Sequence, residues 1–368
     1  MNRHSYELMD RQPEDVLRRR HSGDFIDGLP RRTVLAAGWA IGILSVLNGH
    51  AKASEPTPPL PIPPAEVDNN ATRSRSLNAL ESGDHYAQLN GVDLAFRVSG
   101  AGPVVFVVSP GWGTGSSYLQ RGFEFLQSHF RLVFVDTRGS GRSSRPVDAS
   151  KMGSSDMADD LEALRNYLDL PTVQIIGHSN SGAIVLYYAE RYPDRVSKVV
   201  LISSQVIGLD WISDTRAILQ QRRNDPRYSE AVREATDYLD GKIDPGKSDE
   251  ELTAFFGRIL PLYLEKPEIN LPQAREDLSG VISSYAFRAQ NAAYTAAHID
   301  QVAPLFRVKA DVLIMAGRHD WICPIALAER LHADIVNSRL VVFEESGHLP
   351  WMEERDKFRR ELMQFLGG

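Results

Sequence analysis

Ten residues from Val173 to Gly182 (Val-Gln-Ile-Ile-Gly-His-Ser-Asn-Ser-Gly) constrain the fold more than any other stretch of the chain. They begin as a β-branched run suited to a buried strand and pass into a tight turn of small residues. A helical pattern follows from Ala183 to Tyr192 and halts before Pro193. A serine at the apex of such a strand–turn–helix is held in a strained backbone conformation, with its hydroxyl standing clear of the sheet. The neighbours on either side must be small, and Gly177 and Ser181 hold those positions. The usual pattern is G-x-S-x-G; Ser181 replaces its last glycine with a side chain almost as compact, and Gly182 comes next. Ser179 is the candidate nucleophile.

A serine hydroxyl is a poor nucleophile at neutral pH, so it needs a general base, and the base needs a group that orients it. Of ten histidines, His348 stands out, because Ser346-Gly347-His348-Leu349-Pro350 directly follows a strand-like run from Leu340 to Phe343. A loop there delivers an imidazole to the carboxyl edge of a sheet. His178 is set aside because it points away from the serine beside it. His85, His129, His298, His319 and His332 read as surface or packing residues. Asp320, in Gly317-Arg318-His319-Asp320 after the Val312–Met315 run, is the candidate orienting acid. Acyl transfer also requires donors for a developing oxyanion, commonly two backbone N–H groups. Asn180, next after the serine, offers one. Trp112, in Pro110-Gly111-Trp112-Gly113 after the Val104–Ser109 run, offers the other, with its indole available to line a pocket.

The remaining chain supplies the scaffold for these groups. Tyr86–Leu89, Asn90-Gly91 and Val92–Val98 read as a β-hairpin. Short apolar runs at Val104–Ser109, Arg131–Val135, Val173–Ile176, Val199–Ser203, Val312–Met315 and Leu340–Phe343 fit strands buried on both faces, as in a mostly parallel sheet. Helical patterns alternate with them. Met157, Leu161, Leu164 and Leu168 share one face after a possible Ser154-Ser155-Asp156 cap, and a last helix runs from Glu353 to Leu366. The fold class is therefore α/β, a three-layer sandwich. From about 205 to 300 the alternation stops and the pattern becomes helical. Ser248-Asp249-Glu250-Glu251 is a capping box, followed by an apolar stripe (Leu252, Phe255, Phe256, Ile259, Leu260) that packing explains better than ligand contact. An insertion of this size forms a helical cap over the carboxyl ends of the strands, where open α/β sheets bind their ligands. Trp112, Trp211, Phe255, Phe256, Tyr285 and Phe287 are the aromatic residues available to shape its pocket.

The N-terminal residues obey another logic. A polar stretch leads to Arg31-Arg32, an uncharged and moderately apolar run spans Val34 to Leu47, and Ala51-Lys52-Ala53 has the A-x-A form of a cleavage site. The order resembles a twin-arginine export signal over residues 1–53, with Pro30 where that motif usually has Ser or Thr. A periplasmic or secreted bacterial enzyme is the expected setting. Residues 54–83, crowded with proline, read as a linker. The core is then 84–204 with 301–368, and the cap 205–300. No apolar run is long enough to span a bilayer. A formal charge of −7 provides no basic footprint for nucleic acid. Cys323 is the only cysteine, which rules out an intrachain disulfide, and it reads as an inert loop residue.

From about Tyr86 to the C-terminus the chain resembles the α/β-hydrolase superfamily, in its prolyl-iminopeptidase-like branch. Pro110–Gly113 is similar to the family's oxyanion loop, with proline in place of the usual histidine. Asp136-Thr137-Arg138-Gly139-Ser140-Gly141-Arg142-Ser143 resembles its D-x-R-G-x-G-x-S segment, in which Asp136 and Arg138 would hold the loop as an ion pair. Gly177–Gly182 resembles the family's nucleophile elbow, Gly317–Asp320 its acid loop and Gly347-His348 its histidine loop, in the order Ser, Asp, His. The resemblance implies a serine hydrolase that needs no metal or organic cofactor. The expected substrate is a small to medium carboxylic ester. An aminopeptidase for N-terminal proline is the alternative, with Glu265, Glu268, Glu276 and Asp277 available to bind an ammonium group. A ligand-binding module without turnover is a further possibility. Oligomeric state stays open.

Overall fold

The structure, a computed structural model, describes residues 79–297 and 300–367. The export signal and most of the linker expected from the sequence lie outside these residues, as does His298. Strands β1 (Gly83–Leu89) and β2 (Val92–Gly100) pair as an antiparallel hairpin. Its turn residues, Asn90 (φ +47°) and Gly91 (φ +79°), both take the left-handed backbone that a tight hairpin turn demands.

From there strands and helices alternate as the periodicity predicts. Strand β3 (Val104–Val108) leads to helix α1 (Ser117–Phe123), β4 (Arg131–Val135) to α2 (Ser154–Tyr167), and β5 (Val173–His178) to α3 (Asn180–Arg191). After β6 (Val196–Ile202) come five helices in succession: α4 (Ile212–Arg222), α5 (Ser229–Leu239), α6 (Asp249–Ile259), α7 (Pro267–Asp277) and α8 (Ser284–Ala297). The sheet resumes with β7 (Asp311–Gly317), α9 (Ile325–Asp334), β8 (Ser338–Phe343), α10 (Pro350–Glu353) and α11 (Arg355–Leu366). The eight strands lie in the order β1-β2-β4-β3-β5-β6-β7-β8. Only the β1–β2 and β2–β4 pairs are antiparallel.

Three layers follow from alternation along the strands. Phe106, Ile175, Val199, Leu201 and Ile314 face α2, α3 and α9, packing on Leu161, Leu164, Ile184 and Leu331. Val105, Val107, Ile176, Val200 and Leu313 face α1 and α11, packing on Leu119, Phe123, Phe358 and Leu362. Each such side chain removed from water contributes about 1.5–3 kcal/mol, so both faces of the sheet are held strongly. Because β3 and β5–β8 run parallel, their carboxyl ends lie along one edge. The loops carrying Trp112, Ser179, Asp320 and His348 all leave from it.

Two local expectations need correction. Ser154 does not cap α2: Gly153 does, and the Ser154 hydroxyl is bonded to the Tyr294 hydroxyl instead. The last helix is not continuous from Glu353. It breaks at Glu354 (φ −123°, ψ 55°), because the carboxylates of both glutamates are drawn to backbone groups of the neighbouring loop. Glu354 accepts from Glu345 N–H at 2.9 Å and from the Ser346 hydroxyl at 2.8 Å. Ser248 caps α6 as expected, its Oγ accepting from Glu251 N–H at 3.2 Å.

Candidate active site

Ser179 has φ +58° and ψ −127°, a conformation that a non-glycine residue holds only where its surroundings enforce it. They do so through three backbone bonds of 3.0 Å: its N–H donates to Ile202 O, and its carbonyl accepts from Gly182 and Gln205 N–H. Space is equally restrictive. A Cβ on Gly177 would lie 2.6 Å from Ser181 O, and one on Gly182 only 1.7 Å from Ser204 Oγ. Ser181 fits because its hydroxyl is absorbed into the turn, accepting from His178 N–H and donating to His178 O, each at 2.8 Å.

Asp320 and His348 come together from adjacent strand ends. His348 Nδ1 is 2.7 Å from Asp320 Oδ2, and both side chains are buried. The other carboxylate oxygen accepts from Ile322 and Cys323 N–H, each at 2.9 Å. An acid fixed by two backbone donors orients the ring through Nδ1, an arrangement in which Nε2 could act as a base. The histidine loop is moored from outside the sheet. His348 N–H donates to Tyr263 O at 2.8 Å. One carboxylate, Glu353, accepts from Gly347 N–H at 2.7 Å and from Glu265 and Lys266 N–H at 2.8 Å.

Ser179 and His348 share the wall of a cavity of about 310 Å³. Of the six aromatic residues expected at the pocket, Trp112, Phe255, Phe256 and Phe287 line it. Trp112 meets Phe287 edge-on at 5.4 Å between ring centroids, and Phe255 meets Phe256 edge-on at 5.8 Å. The α6 stripe therefore both packs and faces the cavity. Trp211 and Tyr285 do not reach it: Trp211 is buried in the core, and Tyr285 lies under the Arg145 guanidinium, 4.5 Å from its ring centroid. Sequence reasoning missed Tyr118, Tyr263, Trp321 and Leu349. Trp321 and Leu349 immediately follow Asp320 and His348, and that adjacency was the available signal. At the mouth, the exposed segment Ser279-Gly280-Val281 completes the wall.

His178, set aside as pointing away from Ser179, is nevertheless a near neighbour of His348, with ring centroids 4.6 Å apart. Its Nε2–H donates to His348 O at 3.1 Å, so Nδ1 accepts from the Tyr118 hydroxyl at 2.7 Å. Burial, reinforced by the adjacent His348, holds this ring well below the usual imidazole range, and it stays neutral. Cys323 is not a remote loop residue. It is buried, and its sulfur lies within 4.8 Å of ligand atoms of Asp320 and His348. Burial and the Asp320 charge push its pKa well above the usual thiol value, so it remains a thiol. Among the described residues, Asp320, Cys323 and His348 form the group spaced for a metal ion, but both Asp320 oxygens already accept hydrogen bonds.

Two further expectations change. Asp136 and Arg138 do not pair with each other, since each is held by other partners. Asp136 binds Ser116 and Arg142, whereas Arg138 forms a fork with Asp160 at 2.5 and 2.6 Å. The Trp112 N–H does not point freely toward Ser179. It donates to Gln290 Oε1 at 2.7 Å.

This geometry matches known proteins. Residues 104–355 match the family model described as the alpha/beta hydrolase fold. The AB hydrolase superfamily protein YclE of Bacillus subtilis is 26% identical over 287 residues, which cover 75% of this chain and 96% of that protein. Proline iminopeptidase PfmaB of Pestalotiopsis fici is 25% identical, covering 76% of this chain and 98% of its own. Among solved structures, the esterase EaEST of Exiguobacterium antarcticum superposes with a TM-score of 0.58 at 26% identity, covering 78% of this chain and all of that one. An elbow serine, a buried Asp–His pair and an eight-stranded sheet carrying them on one edge agree with that match: the chain belongs to the alpha/beta hydrolase family.

Proposed function

We propose that the chain hydrolyses small to medium carboxylic esters through an acyl-enzyme on Ser179. His348 Nε2 takes the Ser179 proton as the hydroxyl attacks the ester carbonyl, and Asp320 holds the ring and stabilises its charged form. The N–H of Asn180, at the head of α3, meets the developing oxyanion, and the Trp112 N–H joins it on leaving Gln290. His348 then protonates the leaving alcohol, and water, activated in the same way, releases the acid.

The observation that carries the ester reading is the character of the cavity wall. Phe255, Phe256, Ile259, Tyr263, Phe287 and Trp321 make it largely apolar. An aminopeptidase would need an unpaired carboxylate for the substrate ammonium, yet each candidate already has an arginine. Glu265 pairs with Arg222 at 2.8 Å and Glu268 with Arg227 at 3.7 Å. Glu276 and Asp277 share Arg121 at 2.9 and 3.0 Å, and only Asp277 of the four reaches the cavity wall. A volume near 310 Å³ is at the lower end for small-molecule sites, which suits an acyl group of modest length.

The test compares the parent with Ser179→Ala on short and long p-nitrophenyl esters and on prolyl and alanyl naphthylamides. Ester turnover that is lost in the variant supports the reading. Turnover of the prolyl amide in preference to all esters would replace it with the aminopeptidase. Failure of an active-site phosphonate to label Ser179 would leave only a binding role. The cap reading of residues 205–300 and twin-arginine export through residues 1–53 belong to the same proposal. Retention of an Arg31→Lys/Arg32→Lys double variant in the bacterial cytoplasm would bear out the export route.

A further inference from the structure

Gln290 sits in the middle of α8 and is completely buried. Its Oε1 accepts from Trp112 N–H at 2.7 Å, and its Nε2 donates to the Tyr294 hydroxyl at 2.6 Å. Tyr294 donates to Asn180 Oδ1 at 3.0 Å, and Asn180 Nδ2 donates to Pro110 O. The chain of bonds therefore runs from the loop after β3, through α8, to the residue after Ser179, and back to the loop. It joins the two residues whose N–H groups the acyl-transfer reading assigns to the oxyanion. One of those N–H groups is already occupied.

We propose that Gln290 is a positioning residue that latches the oxyanion loop in a resting orientation. Acyl transfer then requires the Gly111–Trp112 peptide to exchange Gln290 Oε1 for the substrate's carbonyl oxygen. This inference rests on the Ser179 acyl-transfer reading. The backbone is poised for such a turn. Gly111 (φ +73°) and Trp112 (φ +50°) both occupy the left-handed region, and tryptophan stays there only while something holds it. The latch is also well seated. A Cβ on Gly111 would lie 2.7 Å from Gln290 Oε1, and Tyr294 fixes which end of the carboxamide faces the loop.

The exchange breaks one neutral N–H···O bond and makes one to an oxygen that gains charge as Ser179 attacks. Hydrogen bonds to an anionic acceptor are markedly stronger than neutral ones. The neutral ester carbonyl therefore competes poorly with Gln290, whereas the developing oxyanion competes well. An interaction realised only in the transition state raises kcat without tightening substrate binding. The latch thus makes the second oxyanion donor selective for the transition state and ties its release to α8.

The experiment compares the parent with Gln290→Met, which removes the acceptor at similar volume, and with Gln290→Glu, whose ionised carboxylate grips the N–H harder. Phosphonate labelling of Ser179 and p-nitrophenyl butyrate turnover are followed from pH 5 to 9, with thermal unfolding as the folding control. Gln290→Met should raise kcat and the labelling rate about fivefold with KM within twofold. Gln290→Glu should be about tenfold slow at pH 8 and recover as the pH falls and its carboxyl protonates. If Gln290→Met does not fold, Tyr294→Phe releases the far end of the latch and should raise kcat in the same way. Equal, pH-independent losses in both Gln290 variants, or no change in either, would overturn the latch. A parent that phosphonate leaves unlabelled would instead overturn the acyl-transfer reading beneath it.

Discussion

Asp320 Oδ1 accepts two backbone N–H bonds while its Oδ2 stands 2.7 Å from His348 Nδ1. The two oxygens thus have separate duties, and an asparagine can satisfy only one of them. In Asp320→Asn the amide oxygen keeps Ile322 and Cys323 N–H, so the loop should survive. The amide N–H₂ then faces Nδ1 and forces the ring proton onto Nε2, where the base is required. Ester kcat should fall about 10⁴-fold, with the thermal midpoint shifted by only a few degrees. Parallel kinetics and melting curves check both halves.

The cavity wall yields a prediction on acyl length. Phe256 is half-buried on the α6 stripe and faces Phe255 and Phe287 edge-on. Phe256→Ala opens space along the wall. The ratio of kcat/KM for p-nitrophenyl octanoate to that for the acetate should rise about tenfold, because each methylene accommodated in an apolar pocket is worth roughly 1 kcal/mol. A ratio that stays fixed would place the acyl chain elsewhere.

Glu190, at the end of α3, is 5% exposed, and its Oε1 has no hydrogen-bond partner. Burial raises its pKa to about 8, only partly offset by Arg307. The folded protein therefore binds a proton that the unfolded chain has released, across the window from the ordinary glutamate value near 4.5 up to about 8. Stability from this group is present at low pH and falls as pH rises through that window. Glu190→Gln should melt like the parent near pH 4 and be more stable at pH 9 by on the order of 3 kcal/mol. Urea unfolding at the two pH values measures the difference.

The Arg138–Asp160 fork is 3% exposed on the arginine side and 2% on the aspartate side. Asp160→Ala strands a buried guanidinium and should cost about 3–5 kcal/mol. Arg138→Met with Asp160→Leu removes both charges together and should recover most of that loss. Chemical denaturation of the two variants separates the penalty of a stranded charge from the worth of the pair.

The sheet was legible because buried parallel strands are short, apolar and β-branched, and six such segments carry that signature with little competition. The positions of Ser179, Asp320 and His348 were legible for a related reason: each lies in the loop that leaves a strand's carboxyl end, so sequence position is also spatial position. The hairpin turn was as clear, since Asn90-Gly91 is a local choice. What failed was set by partners far away in sequence. Nothing near Arg138 announces that it will pair with Asp160 rather than Asp136. Nothing near Trp112 announces a buried glutamine 178 residues later. The cavity aromatics divide on the same line. Phe255 and Phe256 belong to a strong helical stripe, whereas Trp211 and Tyr285 sit where helical period cannot tell inward from outward. The break at Glu354 was hidden because its cause is a pair of side chains reaching for another loop's amides.

The Glu353 carboxylate ties two loops together. It grips Gly347 on the histidine loop and Glu265 and Lys266 at the approach to α7, and Tyr263 O adds a second tie at His348 N–H. Along that side one carboxylate joins the loop that carries His348 to residues 265–266, so the two segments are coupled. The opposite margin, Ser279-Gly280-Val281, has Val281 71% exposed and no such ties among the described residues. The cavity wall is therefore tied down beside His348 and left exposed at 279–281.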